Sequence, residues 1–324
     1  MQETVPIVVP PMAYVTTPQL VAKAVQSGCV AFVAAAYFAE AASVVAEMAE
    51  VRRLLGHDSD SWGVGFITWH LDALGVAALA ALEEVLAHRP PMLWFSFGDA
   101  SNYISVAKQR NPRVKVFVQI QHESEAPVRA NHVDVIVAQG CEAGGHGGAS
   151  ADPLLVLLPR VVQAVQGRAL VAAAGGICHG SQLAAVLTLG ASYAVMGTRF
   201  AASSESAVHP LAKKRMLAAS ATTRTRVYNR LRNQAWPHMF DFRVLENEAT
   251  AVEDADDADQ ESVAERYAHS VSKPIKEDAD FNVIAIAAGA GVGLIHEILD
   301  VSQIVTKTML EAKEAFASTS KFFT

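Results

Sequence analysis

Short apolar runs rich in Val and Ile alternate with longer Ala- and Leu-rich segments of helical period from residue 7 to about residue 220. This alternation is typical of repeated βα units, in which crossover helices join parallel strands. Eight such units in one run favour a closed (β/α)8 TIM barrel, and an open, doubly wound sheet is the alternative that the pattern leaves open. The predicted strands are Ile7–Val9, Val30–Ala36, Gly63–Phe66, Met92–Phe95, Val114–Gln119, Val133–Ala138, Leu170–Ala173 and Ala194–Met196.

The segments between these strands are predicted helices, each long enough to cross back over a sheet. They are Pro18–Ser27, Ala39–Leu55, Leu71–His88, Asn102–Arg110, Pro153–Gln166 and Ser181–Leu189.

The regular alternation breaks after residue 220, where a basic, aromatic stretch precedes an acidic one. Nine carboxylates between Glu246 and Glu265 predict an exposed loop and helix, because burying so many charges is costly. We therefore expect three regions: a barrel body over 1–222, a lid-like insertion over 223–282, and a closing helical segment over 283–324. The last includes an amphipathic helix from about Val301 to Ala317.

Composition narrows the class of protein. With 51% hydrophobic and 18% charged residues, the chain is too apolar for a disordered polymer. A net charge of −7 argues against nucleic acid as a partner, since phosphate-backbone binding needs a basic face. Three widely spaced cysteines indicate neither a disulfide framework nor a metal site, and they favour a reducing, cytoplasmic location. No secretory signal or membrane span is predicted.

Two glycine-containing turns end the seventh and eighth predicted strands. The first contains Gly175 and Gly176, and the second contains Gly197 and Thr198. Glycines there allow backbone N–H groups to approach an anion, and the following helix adds its positive end. Many barrels bind phosphate at these two turns, so the sequence predicts a phosphate cradle. A tight βα turn that needs positive φ explains the first pair equally well.

A glycine-rich segment follows the sixth predicted strand, with five glycines from Ala138 to Gly148. That density disfavours a helix or strand interior and predicts a mobile or closely approached loop. The segment carries His146, whose imidazole exchanges protons near neutral pH when its pKa has the ordinary value of about 6.5. Glu142 either orients His146 or caps a turn, and Cys141 is interpreted as a packing residue.

Several segments, taken in order, resemble the nitronate monooxygenase family, also called 2-nitropropane dioxygenase, whose members are FMN-dependent barrels. The likeness covers nearly the whole chain. It comprises PIVVPPMAYVTTPQLVAKAVQSG, GVGFITW, VKVFVQIQ, VDVIVAQGCEAGGHGG, AAAGGI, LGASYAVMGTRF and AGAGVGLI. A dinucleotide pattern of Gly-x-Gly-x-x-Gly with a later acidic residue is not evident, which favours a mononucleotide.

The resemblance implies roles for particular residues around FMN. The backbone at Pro11 and Met12 is expected near the isoalloxazine ring, and Gln119 and Gln139 at its polar edge. His146 matches the family's catalytic histidine, here the general base toward nitroalkanes. The remaining residues expected to contact the cofactor are Gly144, Gly145, Ala174, Gly175, Gly176, Gly197 and Thr198, the last five at the phosphate.

The resemblance also implies partners: a small nitroalkane or alkyl nitronate and dioxygen, with a homodimer as one oligomeric state to test. Two other functions stay open, an NAD(P)H-dependent flavin reductase of the quinone or enoyl reductase type, and a non-redox relative recruited to a biosynthetic pathway. The non-redox alternative is suggested by side chains that are bulkier than is usual in the family, at Cys29–Val33 and at Phe242. Ordinary packing in the core is the alternative explanation of both.

Overall fold

The eight predicted strands form a closed parallel barrel. The computed structural model describes residues 5–37, 41–56, 58–252, 257–271 and 279–322. Strand β1 pairs with both β2 and β9, which closes the cylinder and confirms the barrel over the open sheet. The strands in the described residues are β1 (Ile7–Val9), β2 (Val30–Ala35), β3 (Trp62–Ile67), β4 (Met92–Ser96), β5 (Lys115–Ile120), β6 (Val135–Gln139), β7 (Gly145–Gly148), β8 (Leu170–Ala174), β9 (Tyr193–Val195), β10 (Thr222–Thr225) and β11 (Phe240–Leu245).

Helices lie between the barrel strands and cover the outside of the barrel. The predicted helix Leu71–His88 is two helices, divided at Gly75 with φ of +58°, and the first residues of Ala39–Leu55 lie outside the described residues. The helices are α1 (Pro18–Gln26), α2 (Ala41–Leu55), α3 (Thr68–Leu74), α4 (Val76–Ala87), α5 (Ser101–Arg110), α6 (Ala126–Arg129), α7 (Leu154–Val165), α8 (Gly180–Thr188), α9 (Thr198–Ala201), α10 (Pro210–Ala218), α11 (Val227–Leu231), α12 (Glu248–Ala251), α13 (Asp257–Ser270) and α14 (Val301–Ser320), with short 3-10 turns at Glu123–Glu125 and Ala290–Leu294.

Large aromatic side chains fill the inside of the barrel. Phe32 is fully buried, with its ring centroid 5.2 Å from that of Trp94 and 5.0 Å from that of Phe117. Trp94 and Phe117 stack at 5.8 Å. The bulk at Cys29–Val33 is therefore core packing below the ends of the strands, since all five residues are buried.

A second sheet of three antiparallel strands lies beside the barrel, in the order β10-β11-β7. The prediction that the glycine-rich segment forms only a loop was wrong, because part of it is β7. It is paired with β11, in which alternate residues Phe240 and Phe242 are buried. The register places Phe242 opposite His146. A partner strand far along the chain supplies the hydrogen bonds that make a glycine-rich strand stable here.

The C-terminal helix α14 packs on α8 and α1, where the sequence predicts an amphipathic helix. Part of the acidic stretch forms α13, and residues 253–256 lie outside the described residues. The division into three regions at 222 and 282 stays a prediction. Within the described ranges, no helix combines the length and apolar character needed to cross a membrane.

Candidate active site

Polar side chains occupy the inward-facing positions where the barrel strands end, and we call this end, at Ser96, Gln119 and Gln139, the barrel mouth. Trp94 Nε1 donates to Ser96 Oγ at 2.6 Å, and Ser96 Oγ donates to Gln119 Oε1 at 3.4 Å. Because its oxygen is engaged, Gln119 turns its amide nitrogen away from Ser96. That buried nitrogen has no acceptor among the described residues. The mouth therefore presents an oriented donor that a bound group can satisfy.

Gln139 connects the barrel to the second sheet. Its Nε2 donates to the backbone carbonyl of His146 at 3.3 Å, and its Oε1 accepts from Gln121 Nε2 at 3.3 Å. The same strand position pairs with Ala174 at the end of β8. Gln139 thus places β7 and its histidine directly above the end of β6.

The predicted cradle consists of two turns with different backbone requirements. Gly175 and Gly176 have φ of +129° and +68°, so this tight turn does require glycine at both positions. Gly197 has φ of −87°, and a Cβ there would lie 3.5 Å from Met12 Sδ, in ordinary contact. The backbone N–H groups of Gly176, Gly197 and Thr198 donate to no acceptor in the described part of the chain. These free donors are what an anion needs.

A third wall of the cradle was not predicted from the sequence. Gly289 N donates to Thr198 Oγ1 at 2.9 Å, and Ala290 N donates to the Glu142 carbonyl at 2.9 Å. A Cβ on Gly144 would collide with the backbone of Ala288 and Gly289. The available signal was the glycine spacing of AGAGVGLI, one of the segments that resemble the family.

The turn after β1 approaches both the mouth and the cradle. A Cβ on Gly65 would collide with the ring of Pro11, so the glycine in β3 makes room for this proline. Met12 N donates to Thr16 Oγ1 at 2.9 Å, which fixes the turn beside Gly197. The structure therefore brings the predicted cofactor-contacting residues to one end of the barrel.

His146 lies between two aromatic rings. The imidazole stacks on Trp236 with centroids 3.5 Å apart and planes 7° apart, and on Phe242 at 4.5 Å and 19°. Its Nε2 lies 2.8 Å from Asn229 Oδ1. Phe242 therefore adds its bulk at the candidate site, unlike Cys29–Val33. Asn229 was missed as a site residue, and Trp236 was predicted only as part of the lid-like insertion over 223–282. The available signal was the basic, aromatic stretch that contains both.

Burial among these rings lowers the pKa of His146 to about 3. The charges of Arg232 and Arg226 lower it further, whereas the hydrogen bond to Asn229 opposes them. At neutral pH the imidazole is uncharged. It can accept a proton, with the weak basicity that so low a pKa implies, and it supplies no positive charge to an anion.

Acid is expected to destabilise the folded protein through His146. Between about pH 6.5 and pH 3 the unfolded chain binds more protons at this site, so stability falls as the pH falls through that window. Between pH 7 and pH 5 this proton uptake lowers the free energy of unfolding by about 2 kcal/mol. Urea unfolding at both pH values measures it, with His146→Phe as the control that keeps a ring in the stack. Equal losses of stability in the two proteins would contradict the prediction.

Glu142 caps a helix instead of orienting the histidine. Both of its carboxylate oxygens accept from Leu154 N at 2.9 Å, at the start of α7.

Cys29, Cys141 and Cys178 are free thiols. A metal site built from three or more His, Cys, Asp or Glu side chains is not found among the residues that the structure describes.

Comparison with known proteins identifies the family. The family model for nitronate monooxygenase matches residues 69–311. The chain belongs to the nitronate monooxygenase family. Nitronate monooxygenase npaC of Metarhizium robertsii is 33% identical over 272 residues, which cover 79% of this chain and 74% of that protein. The resemblance predicted from the sequence is thereby confirmed, and the chain is an enzyme of a monooxygenase family.

Two solved structures are similar along almost the whole chain. FabK from Thermotoga maritima superposes with a TM-score of 0.79 at 27% identity and covers 98% of this chain and 95% of its own. Nitroalkane oxidase from Streptomyces ansochromogenes superposes with a TM-score of 0.75 at 27% identity and covers 97% of each chain. These likenesses support a flavin-using oxidoreductase on a TIM barrel.

Proposed function

We propose that the protein is an FMN-dependent nitronate monooxygenase that oxidises alkyl nitronates or nitroalkanes with dioxygen, with His146 as general base. The observation that carries the proposal is the position of a neutral imidazole at the barrel mouth. Gln139 bonds the His146 backbone at 3.3 Å, and the same mouth bears the glycine cradle. A proton acceptor and an anion site thus share one end of the barrel.

The residues at the mouth fit FMN. Several buried polar atoms there have no partner within the described residues, and an incoming polar ligand would satisfy them. They belong to Trp69, His70, Gln119, Asn229 and Gln234. The phosphate would be held by Ala174, Gly175, Gly176, Gly197 and Thr198, and the ring would lie beside Pro11 and Met12. Gln119 would donate to the polar edge of the ring, whereas both polar atoms of the Gln139 amide already bond within the protein. When bound, FMN supplies an electron acceptor that reacts with dioxygen.

The chain's own part in the reaction is control of a proton. A neutral nitroalkane loses its α-proton to His146, and the C–H electron pair becomes the C=N bond of the nitronate. Trp236 and Phe242 cover both faces of the imidazole, and the half-buried His146 is therefore reached by solvent or substrate only at its ring edge. A substrate supplied as nitronate does not need this step.

Reduction without oxygen distinguishes the proposal from its alternatives. The purified protein is mixed anaerobically with ethyl nitronate, 2-propyl nitronate, NADH or NADPH while the visible spectrum is recorded. We expect a flavin spectrum that the nitronates bleach and the pyridine nucleotides do not. Rapid bleaching by NADH or NADPH alone would instead indicate a flavin reductase, and a protein that neither contains nor binds flavin would indicate a recruited, non-redox relative.

A further inference from the structure

The contact between Asn229 and His146 joins α11 to β7 at the barrel mouth. We infer that Asn229 is a positioning residue that fixes one tautomer of His146, with the proton on Nε2 and the basic lone pair on Nδ1. The inference rests on the proposed role of His146 as a base, since it names the nitrogen that accepts the substrate's proton.

The ring planes leave His146 little freedom. Trp236 and Phe242 are nearly parallel to the imidazole on its two faces, so tilting the ring would cause a clash. Within this sandwich only the ring edge is available for hydrogen bonds. Nε2 faces Asn229 Oδ1 at 2.8 Å, and Nδ1 has no hydrogen-bond partner among the residues described. An oxygen acceptor requires the proton on Nε2.

The backbone around Asn229 is itself anchored. Its N–H donates to the Arg226 carbonyl at 3.0 Å, and its carbonyl accepts from Gln234 N at 2.9 Å. The Arg226 guanidinium donates to the carbonyl of His238 at 2.7 Å and to that of Trp236 at 3.4 Å. The segment that stacks on the histidine and the residue that bonds its edge are therefore held together as one unit.

Asn229 differs from a second asparagine of the same region. Asn247 Oδ1 accepts from Thr250 N at 3.2 Å, and its Nδ2 donates to the Ile284 carbonyl at 2.9 Å and to Tyr228 Oη at 2.8 Å. Asn229, only 7% exposed, has a buried Nδ2 without an acceptor in the described structure. The Asn247 side chain is thus bonded to structural partners through both of its polar atoms, whereas the Asn229 side chain bonds only His146 within the described residues.

The charges near the ring keep the imidazole singly protonated. The charged groups facing the imidazole are Arg226 and Arg232, and both disfavour a second proton on the ring. Trp236 and Phe242 contribute no charge. With the Asn229 amide reversed, Nδ2 would donate to Nε2 and the proton would move to Nδ1, which leaves no free lone pair for a base.

Nitrogen NMR of intact protein labelled with 15N-histidine tests the inference directly. The His146 signals at pH 7 are identified by their loss in His146→Gln. We expect a protonated Nε2 and an unprotonated Nδ1, and a larger Nδ1–H population in Asn229→Leu. A protonated Nδ1 in the unaltered protein overturns the inference, and this reading needs no activity and no folded variant of Asn229.

The pH dependence of kcat/KM for a neutral nitroalkane gives a second reading. In Asn229→Asp the carboxylate accepts a stronger hydrogen bond from Nε2–H and stabilises the protonated ring. The apparent pKa on the acidic side of the kcat/KM profile should therefore rise by about 1 pH unit or more. The control Asn233→Asp adds the same charge at an exposed site nearby, and the apparent pKa on the acidic side of its profile should not change. Equal shifts in both variants overturn the inference. If His146→Gln keeps full activity while the Nε2–H tautomer is observed, the proposed base fails and the tautomer assignment stands.

Discussion

Replacing His146 with alanine is expected to lower kcat/KM for a neutral nitroalkane by about 10²- to 10⁴-fold, the range typical of a lost general base. The value for the preformed nitronate should fall less than about tenfold, because a neutral imidazole offers that anion one hydrogen bond at most. The low pKa of His146, about 3, is the reason for the asymmetry, since no imidazolium is present at neutral pH to bind the anion. Steady-state oxygen consumption with each substrate measures the two values.

A matched histidine separates this effect from general damage to the protein. His132 is exposed and lies on the loop that leads into β6, at the opposite end of the barrel from the mouth. His132→Ala should therefore leave both kcat/KM values within about twofold. Unchanged turnover of the neutral nitroalkane by His146→Ala would refute the base assignment. An equal loss with both substrates would instead indicate that His146 mainly positions substrate or cofactor.

The barrel was predictable because its signal is local. Each strand is a short apolar run whose two sides are both buried, as in β2, where five of six residues are buried. The turns at Gly175–Gly176 and Gly197–Thr198 were found for the same reason, since a strand, a glycine and a helix follow one another directly. Such patterns need no knowledge of distant residues.

The surroundings of His146 were not predictable in this way. Asn229 lies 83 positions further along the chain, and neither residue's neighbours indicate the contact. Strand β7 is a strand only because β11 pairs with it, which overrides the weak preference of glycine for strands. The low pKa of the histidine is a consequence of that same assembly, because Trp236 and Phe242 bury the ring. Periodicity reports which face of an element is buried and not what buries it.

Replacing Gly197 with aspartate is expected to weaken FMN binding by about 10²-fold or more. With φ of −87° this position accepts any L-residue, and a Cβ would make only ordinary contacts, 3.5 Å from Met12 Sδ and 3.8 Å from Pro10 Cγ. The substitution therefore changes charge without straining the backbone. A carboxylate about 4 Å from a phosphate, at an effective dielectric constant of about 20, costs about 4 kcal/mol per pair of charges. Quenching of FMN fluorescence on titration with apoprotein measures the dissociation constant.

The control variant Gly197→Asn has the shape of the aspartate and no charge, so its affinity for FMN should change less than about tenfold. Riboflavin lacks the phosphate, and the two variants should bind it equally well. Because salt screens a repulsion near the protein surface, the difference between Asp and Asn toward FMN should also narrow as ionic strength rises. If Gly197→Asp weakens riboflavin as much as FMN, the phosphate does not lie at this turn. A loss confined to FMN places the anion between Gly197 and its neighbours in the cradle, since only the charge differs between the variants and only the phosphate between the ligands.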